Sequence, residues 1–132
     1  MEEILLAPNF QELKDKFNVG DDTIIAYGNK IFVKDKTLSR DLLVHELTHC
    51  ERQRFDEASA RRWWEKYMED NDFRLQEEIV AYRNQYDFCL KVFKDRNKRA
   101  KILWTMANEL SSLRYGNVVN HNEAMNLIKN EK

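Results

Sequence analysis

The sequence predicts an α+β fold that is predominantly helical, with one short β-hairpin ahead of the main helices. Apolar residues recur at spacings of three, four and seven over most of the chain from Leu38 onward, the mark of amphipathic helices. Two β-rich runs, Thr-Ile-Ile-Ala-Tyr and Lys-Ile-Phe-Val-Lys, are separated only by Gly28-Asn29, a tight-hairpin pattern. Three Gly and one Pro in 132 residues are too few for a turn-rich all-β fold. The length is that of one domain, residues 1–132.

The elements follow in order. Ile4–Ala7 is a short apolar stretch, then Phe10, Leu13 and Phe17 mark a first helix over residues 9–18, capped by Asn9 or entered through Pro8. Gly20-Asp21-Asp22 ends it, and the strands are Thr23–Tyr27 and Lys30–Lys34. A two-stranded hairpin is marginal alone, so it must pack on helices. Thr37 or Ser39 can cap a helix that runs to about Phe55, with Leu38, Leu42, Val44, Leu47 and Cys50 as its apolar positions. A second long helix spans Asp56–Asp70. Its adjacent Trp63 and Trp64 cannot share one face, so one is expected in the core and the other at an edge. Asp72 can cap the next helix, Phe73–Phe93, and Asp95–Leu113 continues helical, either separately or as an extension. Tyr115-Gly116-Asn117 marks a stop before a last short helix, His121–Ile128.

Twenty-two Lys and Arg against 23 Asp and Glu give a formal net charge of -1, which offers no general electrostatic case for nucleic acid. The basic run Lys91–Lys101 reads as a solvated face, with a docking patch for an acidic partner or nucleic acid as the alternative. A mean hydropathy of -0.75 argues against a membrane protein, and Met1-Glu2-Glu3 lacks the basic start of a signal peptide. Two cysteines, Cys50 and Cys89, each inside a helical stretch, read as reduced thiols of a cytoplasmic protein.

His45-Glu46-Leu47-Thr48-His49 is an H-E-x-x-H motif. Residues four apart stand one helical turn apart on one face, so both imidazoles can reach one ion at about 2.0–2.1 Å. Glu46 falls beside that face, where it can hold a water without filling the coordination sphere. Zinc lowers the pKa of such a water, and the glutamate takes its proton. The alternative is a helix with two surface histidines and a salt-bridging glutamate. Only three histidines exist in the chain, and two of them make the pair.

A catalytic zinc needs a third protein ligand and one open position. Glu77, Glu78, Asp87, His121 and the glutamates of the second long helix are candidates. Leu75, Ile79, Tyr82 and Tyr86 define a buried face, and 100° per residue puts Glu78 at its margin and Glu77 nearly opposite. That favours Glu78. The oxyanion of a tetrahedral transition state needs a second partner. Tyr82, one turn beyond Glu78, is the first candidate, with Tyr27, Tyr86, Tyr115 and His121 open. Gln53, one turn past His49, can hold an imidazole, a backbone group or a loop, or face solvent.

These residues together resemble the small H-E-x-x-H zinc metallopeptidases of bacteria and phages, in the zincin superfamily and close to its gluzincins. The likeness covers roughly residues 20–90. It rests on the motif, on the strand-like Tyr27–Val33 before it, on Gln53 after it, and on Glu78-Ile79-Val80-Ala81-Tyr82, which is similar to the E-x-x-A(Y) helix whose glutamate is a ligand. The resemblance implies a zincin-like core with the hairpin preceding the motif helix. It implies zinc on His45, His49 and Glu78, Glu46 as general base, and peptide-bond hydrolysis. It also implies a peptide or protein substrate paired along an edge strand, here Ile31–Lys34, unless that strand is fully packed. The chain departs from larger gluzincins, which have a fuller sheet and a second subdomain walling the cleft. A shallow cleft, with substrate selection weak or supplied by a partner, follows. The rival reading is a zincin-scaffold interaction protein with little or no peptidase activity. The oligomeric state is open.

Overall fold

Phe10–Phe17 forms the first helix, α1, burying Phe10 and Leu13. Its first bond is Leu13 N–H to the Asn9 carbonyl at 3.0 Å. The computed structural model describes residues 7–17, 23–33, 38–112 and 119–129. Ile4–Leu6, Lys34, Thr37 and Tyr115-Gly116-Asn117, each part of an expectation above, lie outside them. Among the described residues the regular structure is six helices and one two-stranded sheet, and no helix is long and apolar enough to cross a membrane. The contacts divide the chain into two compact units, Met1–Glu69 and Asp70–Lys132.

In the first unit, β1 (Ile25–Tyr27) and β2 (Lys30–Phe32) pair antiparallel, with Ile25 opposite Phe32, Ala26 opposite Ile31 and Tyr27 opposite Lys30. Both strands are shorter than the β-rich runs. Gly28 has a φ of 64° and Asn29 has no positive φ, the pattern of a type II′ turn. A Cβ on Gly28 would lie 3.3 Å from the backbone of Asp56 and Glu57, so the turn sits tight on the start of the next helix but one.

Helix α2 (Arg40–Arg52) begins after Ser39, whose backbone is extended but whose hydroxyl makes no capping bond. It ends three residues before the expected Phe55. Arg54 and Phe55 take φ values of 59° and 52°. Phe55 N–H bonds the Cys50 carbonyl at 2.9 Å and Arg54 N–H bonds that of Glu51 at 2.8 Å. This is a Schellman closure made without glycine. Asp56 then caps α3 (Glu57–Glu69), accepting Ser59 N–H at 2.9 Å.

Both indoles of α3 are buried, which corrects the expectation that one would sit at an edge. Trp63 stacks on Tyr67 at 5.0 Å, and Trp64 meets Tyr67 edge-on at 4.9 Å. The two can both be buried because each has its own neighbour. Trp64 Nε1 donates to the Ala26 carbonyl of β1 at 2.9 Å, while the Trp63 ring lies 5.2 Å from the His49 ring of α2.

The second unit is α4 (Asn71–Val92), α5 (Arg96–Leu110) and α6 (His121–Lys129), packed on one another. Asp70, rather than Asp72, caps α4 by accepting Phe73 N–H at 3.0 Å. A separate α5 starts at Asp95, which accepts Asn97 N–H at 2.9 Å. Asn120 and Glu123 exchange bonds of 2.8 and 3.0 Å at the start of α6, a capping box. Arg83 Nε donates to the Leu127 carbonyl at 2.7 Å and ties α4 to the end of α6. Leu75, Ile79, Leu103, Met106, Leu110 and Ile128 are among the buried apolar residues. In this unit the Trp104 side chain is left exposed, at 55%.

Candidate metal centre

Helix α2 buries its polar face. His45, Glu46, Thr48 and His49 are all buried, while Leu42, Leu43 and Leu47 are exposed, Leu47 at 44%. Leu42 and Leu47 therefore do not supply the core as their spacing suggests. At 100° per residue, Leu43 and Leu47 stand nearly opposite His45, so a helix that turns its histidines inward must turn these leucines out. Ionisable groups are seldom fully buried unless paired or ligating. A helix that hides histidine and glutamate while showing leucine has its orientation set by something other than apolar burial alone.

The turn spacing does what the motif requires. The rings of His45 and His49 lie 4.9 Å apart and nearly perpendicular, at 82°. Thr48 satisfies its own hydroxyl by donating to the Val44 carbonyl at 2.8 Å. Cys50 is buried, with Sγ 3.8 Å from the Lys30 carbonyl. Burial, and then the negative charge of Glu46, push its pKa up to about 11. Near neutral pH it is a thiol, the form that neither ligates nor attacks. Gln53 is fully buried and holds backbone, the second of the roles open to it: its amide bonds both Gly28 and Ala26.

Glu78 and Tyr82 are both buried on α4. Glu77 is buried too, at 4% exposed, the same as Glu78. The expectation that Glu77 turns away from the buried face is thus corrected: the first half of α4 is buried on most sides, so periodicity alone does not rank the two. His45 and His49 belong to the first unit, Glu77 and Glu78 to the second. Asp87 and the glutamates of α3 are exposed, and the His121 ring lies 5.2 Å from that of Trp104. Of the oxyanion candidates, Tyr27 and Tyr86 are half-buried and Tyr82 is buried. Trp63, beside His49, is a neighbour of the motif that the sequence gave no signal for.

Two imidazoles and one carboxylate are the donor set of a three-ligand zinc site. Compared with known protein families, curated proteins and solved structures, the chain matches none.

Proposed function

We propose that this chain is a zinc-dependent metallopeptidase in which His45, His49 and Glu78 hold the metal and Glu46 is the general base. The observation that carries the reading is the buried pair His45 and His49, one turn apart on α2 with their rings 4.9 Å apart, and Glu46 buried beside them. When bound, zinc supplies Lewis-acid polarisation of the scissile carbonyl and acidifies a water. Glu46, next in sequence to His45 on the buried side of α2, would accept a proton from the attacking water and pass it to the leaving amine. Tyr82, one turn beyond Glu78, donates to the developing oxyanion.

The hairpin supports an extended peptide as the substrate. In a hairpin closed by two residues, Tyr27 and Lys30 form the hydrogen-bonded pair next to the turn, so Ala26 and Ile31 point their backbone groups outward. On the β1 side the Ala26 carbonyl is taken by Gln53 and Trp64. On the β2 side the groups of Ile31 face an edge with which no strand pairs among the described residues, where a substrate strand can add. Two free buried thiols accord with a reducing compartment, the cytoplasm.

The test is cleavage of a quenched fluorogenic peptide pool by zinc-loaded protein. Glu46→Gln should lose at least about 100-fold in rate while keeping its zinc. Folded, zinc-loaded protein that cleaves nothing in the pool, or a Glu46→Gln variant that cleaves as well as wild type, would overturn the proposal and leave the interaction-protein reading.

A further inference from the structure

A second hollow lies within the first unit, and none of its lining residues belongs to the proposed zinc site. It encloses about 340 Å³, within the range of small-molecule sites. The start of α1 supplies Asn9 and Glu12, the end of β1 supplies Tyr27, and α3 supplies Arg61, Trp64 and Glu65. The three α3 residues share one face, being three and four apart.

Asn9 singles this hollow out. It is 5% exposed, and among the described residues neither Nδ2 nor Oδ1 has a hydrogen-bond partner. It occupies the cap position of α1, where an asparagine oxygen normally accepts an N–H of the first turn. Here it does not, so two donors and the acceptor oxygen are unused. Buried amides are rarely left so. The sign of the charge around it is also set. Glu12 and Glu65 line the hollow against one cation, Arg61, and Arg61 Nε already lies 3.6 Å from Glu65. The Tyr27 hydroxyl reads out that field: burial, then Glu57, Glu12 and Glu65, push its pKa up against the opposing pull of Arg61. The hollow favours a cation, and Asn9 favours one with a hydrogen-bond acceptor beside it.

We propose that this hollow binds an α-aminoacyl group, of a free amino acid or of a peptide amino terminus. Glu12 faces the ammonium, and the Asn9 amide, turned into the hollow, bonds the ammonium through Oδ1 and the adjacent carbonyl through Nδ2. The site does not depend on zinc or on peptidase activity.

The experiment is titration of the ¹⁵N-labelled full chain with L-alaninamide, followed by NMR at the Trp64 indole N–H and the Asn9 side-chain amide. Both signals should shift saturably, with a Kd on the order of 1 mM. N-acetyl-L-alaninamide, which has lost the charge, should shift neither. Glu12→Gln alters an exposed side chain, and its fold is checked by the undisturbed Trp64 signal. It should weaken binding roughly fivefold. L-alanine binding tighter than the amide assigns the site to free amino acids, and weaker binding assigns it to peptide amino termini. No saturable shift, an equal response to the acetylated probe, or unchanged binding by folded Glu12→Gln would overturn the proposal.

Discussion

The side chain of Gln53 accepts the Gly28 N–H at 2.7 Å through Oε1. Its Nε2 reaches the Ala26 carbonyl at 3.2 Å, so one amide at the end of the motif helix fixes the hairpin on both sides of Tyr27. Gln53 is fully buried, and a nonpolar substitute would leave a buried Gly28 N–H with no acceptor. Gln53→Leu should destabilise the protein by about 2 kcal/mol, seen as a lower urea midpoint with an unchanged slope.

Trp64 Nε1 also donates to the Ala26 carbonyl, at 2.9 Å. Removing either donor leaves the other, whereas removing both strands a buried oxygen. Trp64→Phe and Gln53→Leu should therefore be non-additive. The double variant should lose about 1 kcal/mol more than the sum of the singles, measured by a double-mutant cycle in urea.

Much of this arrangement was legible in the sequence because local rules wrote it. The hairpin came from Gly28-Asn29 between β-rich runs, and α6 was read to within a residue from its spacing. The histidine pair stood out because a metal site needs donor types at helical intervals, whatever surrounds them. What was misread depended on neighbours far along the chain. Leu47 looks like a core residue until the burial of His45 and His49 fixes the orientation of α2. Glu77 looks exposed until α4 proves buried on most sides, and Trp63 and Trp64 look incompatible until each has its own neighbour. The end of α2 was hidden for another reason: Arg54 and Phe55 do the work that a glycine would have announced.

Zinc content separates Glu78 from Glu77 directly, since both are buried to the same degree and burial does not rank them. Wild type should bind one zinc per chain. His45→Ala, His49→Ala and Glu78→Gln should each lower affinity by at least about 100-fold, while Glu77→Gln should stay within about tenfold. Competition with a chromophoric chelator measures all five proteins. Equal losses at residues 77 and 78 would remove Glu78 as the assigned ligand.

The acid side of the stability curve should carry a mark of Asp56. Its carboxylate accepts Ser59 N–H at 2.9 Å, and that bond holds its pKa below the usual carboxylate value. A lowered folded-state pKa gives stability that is present above the unfolded value and lost as pH falls through the folded one. Asp56→Ala should melt a few degrees below wild type at neutral pH. The difference should narrow as pH drops from about 5 toward 3, as followed by circular dichroism. A gap independent of pH would mean that the carboxylate's ionisation contributes nothing to the cap.

Arg54 offers the opposite case, a position where the natural residue works against the fold. It sits at φ 59°, a left-handed conformation that costs a residue with a Cβ roughly 1–2 kcal/mol. Its N–H to the Glu51 carbonyl at 2.8 Å and the Phe55 bond to Cys50 at 2.9 Å close α2, so the conformation cannot relax without opening the helix end that carries Gln53. Glycine removes the Cβ penalty and returns part of the gain through its freer unfolded chain. Arg54→Gly should therefore stabilise the protein by about 0.5–1 kcal/mol, raising the urea midpoint. Arg54→Val should lower it, because a β-branched residue is least suited to positive φ. If both substitutions moved the midpoint in the same direction, strain at this turn would not be what sets its stability.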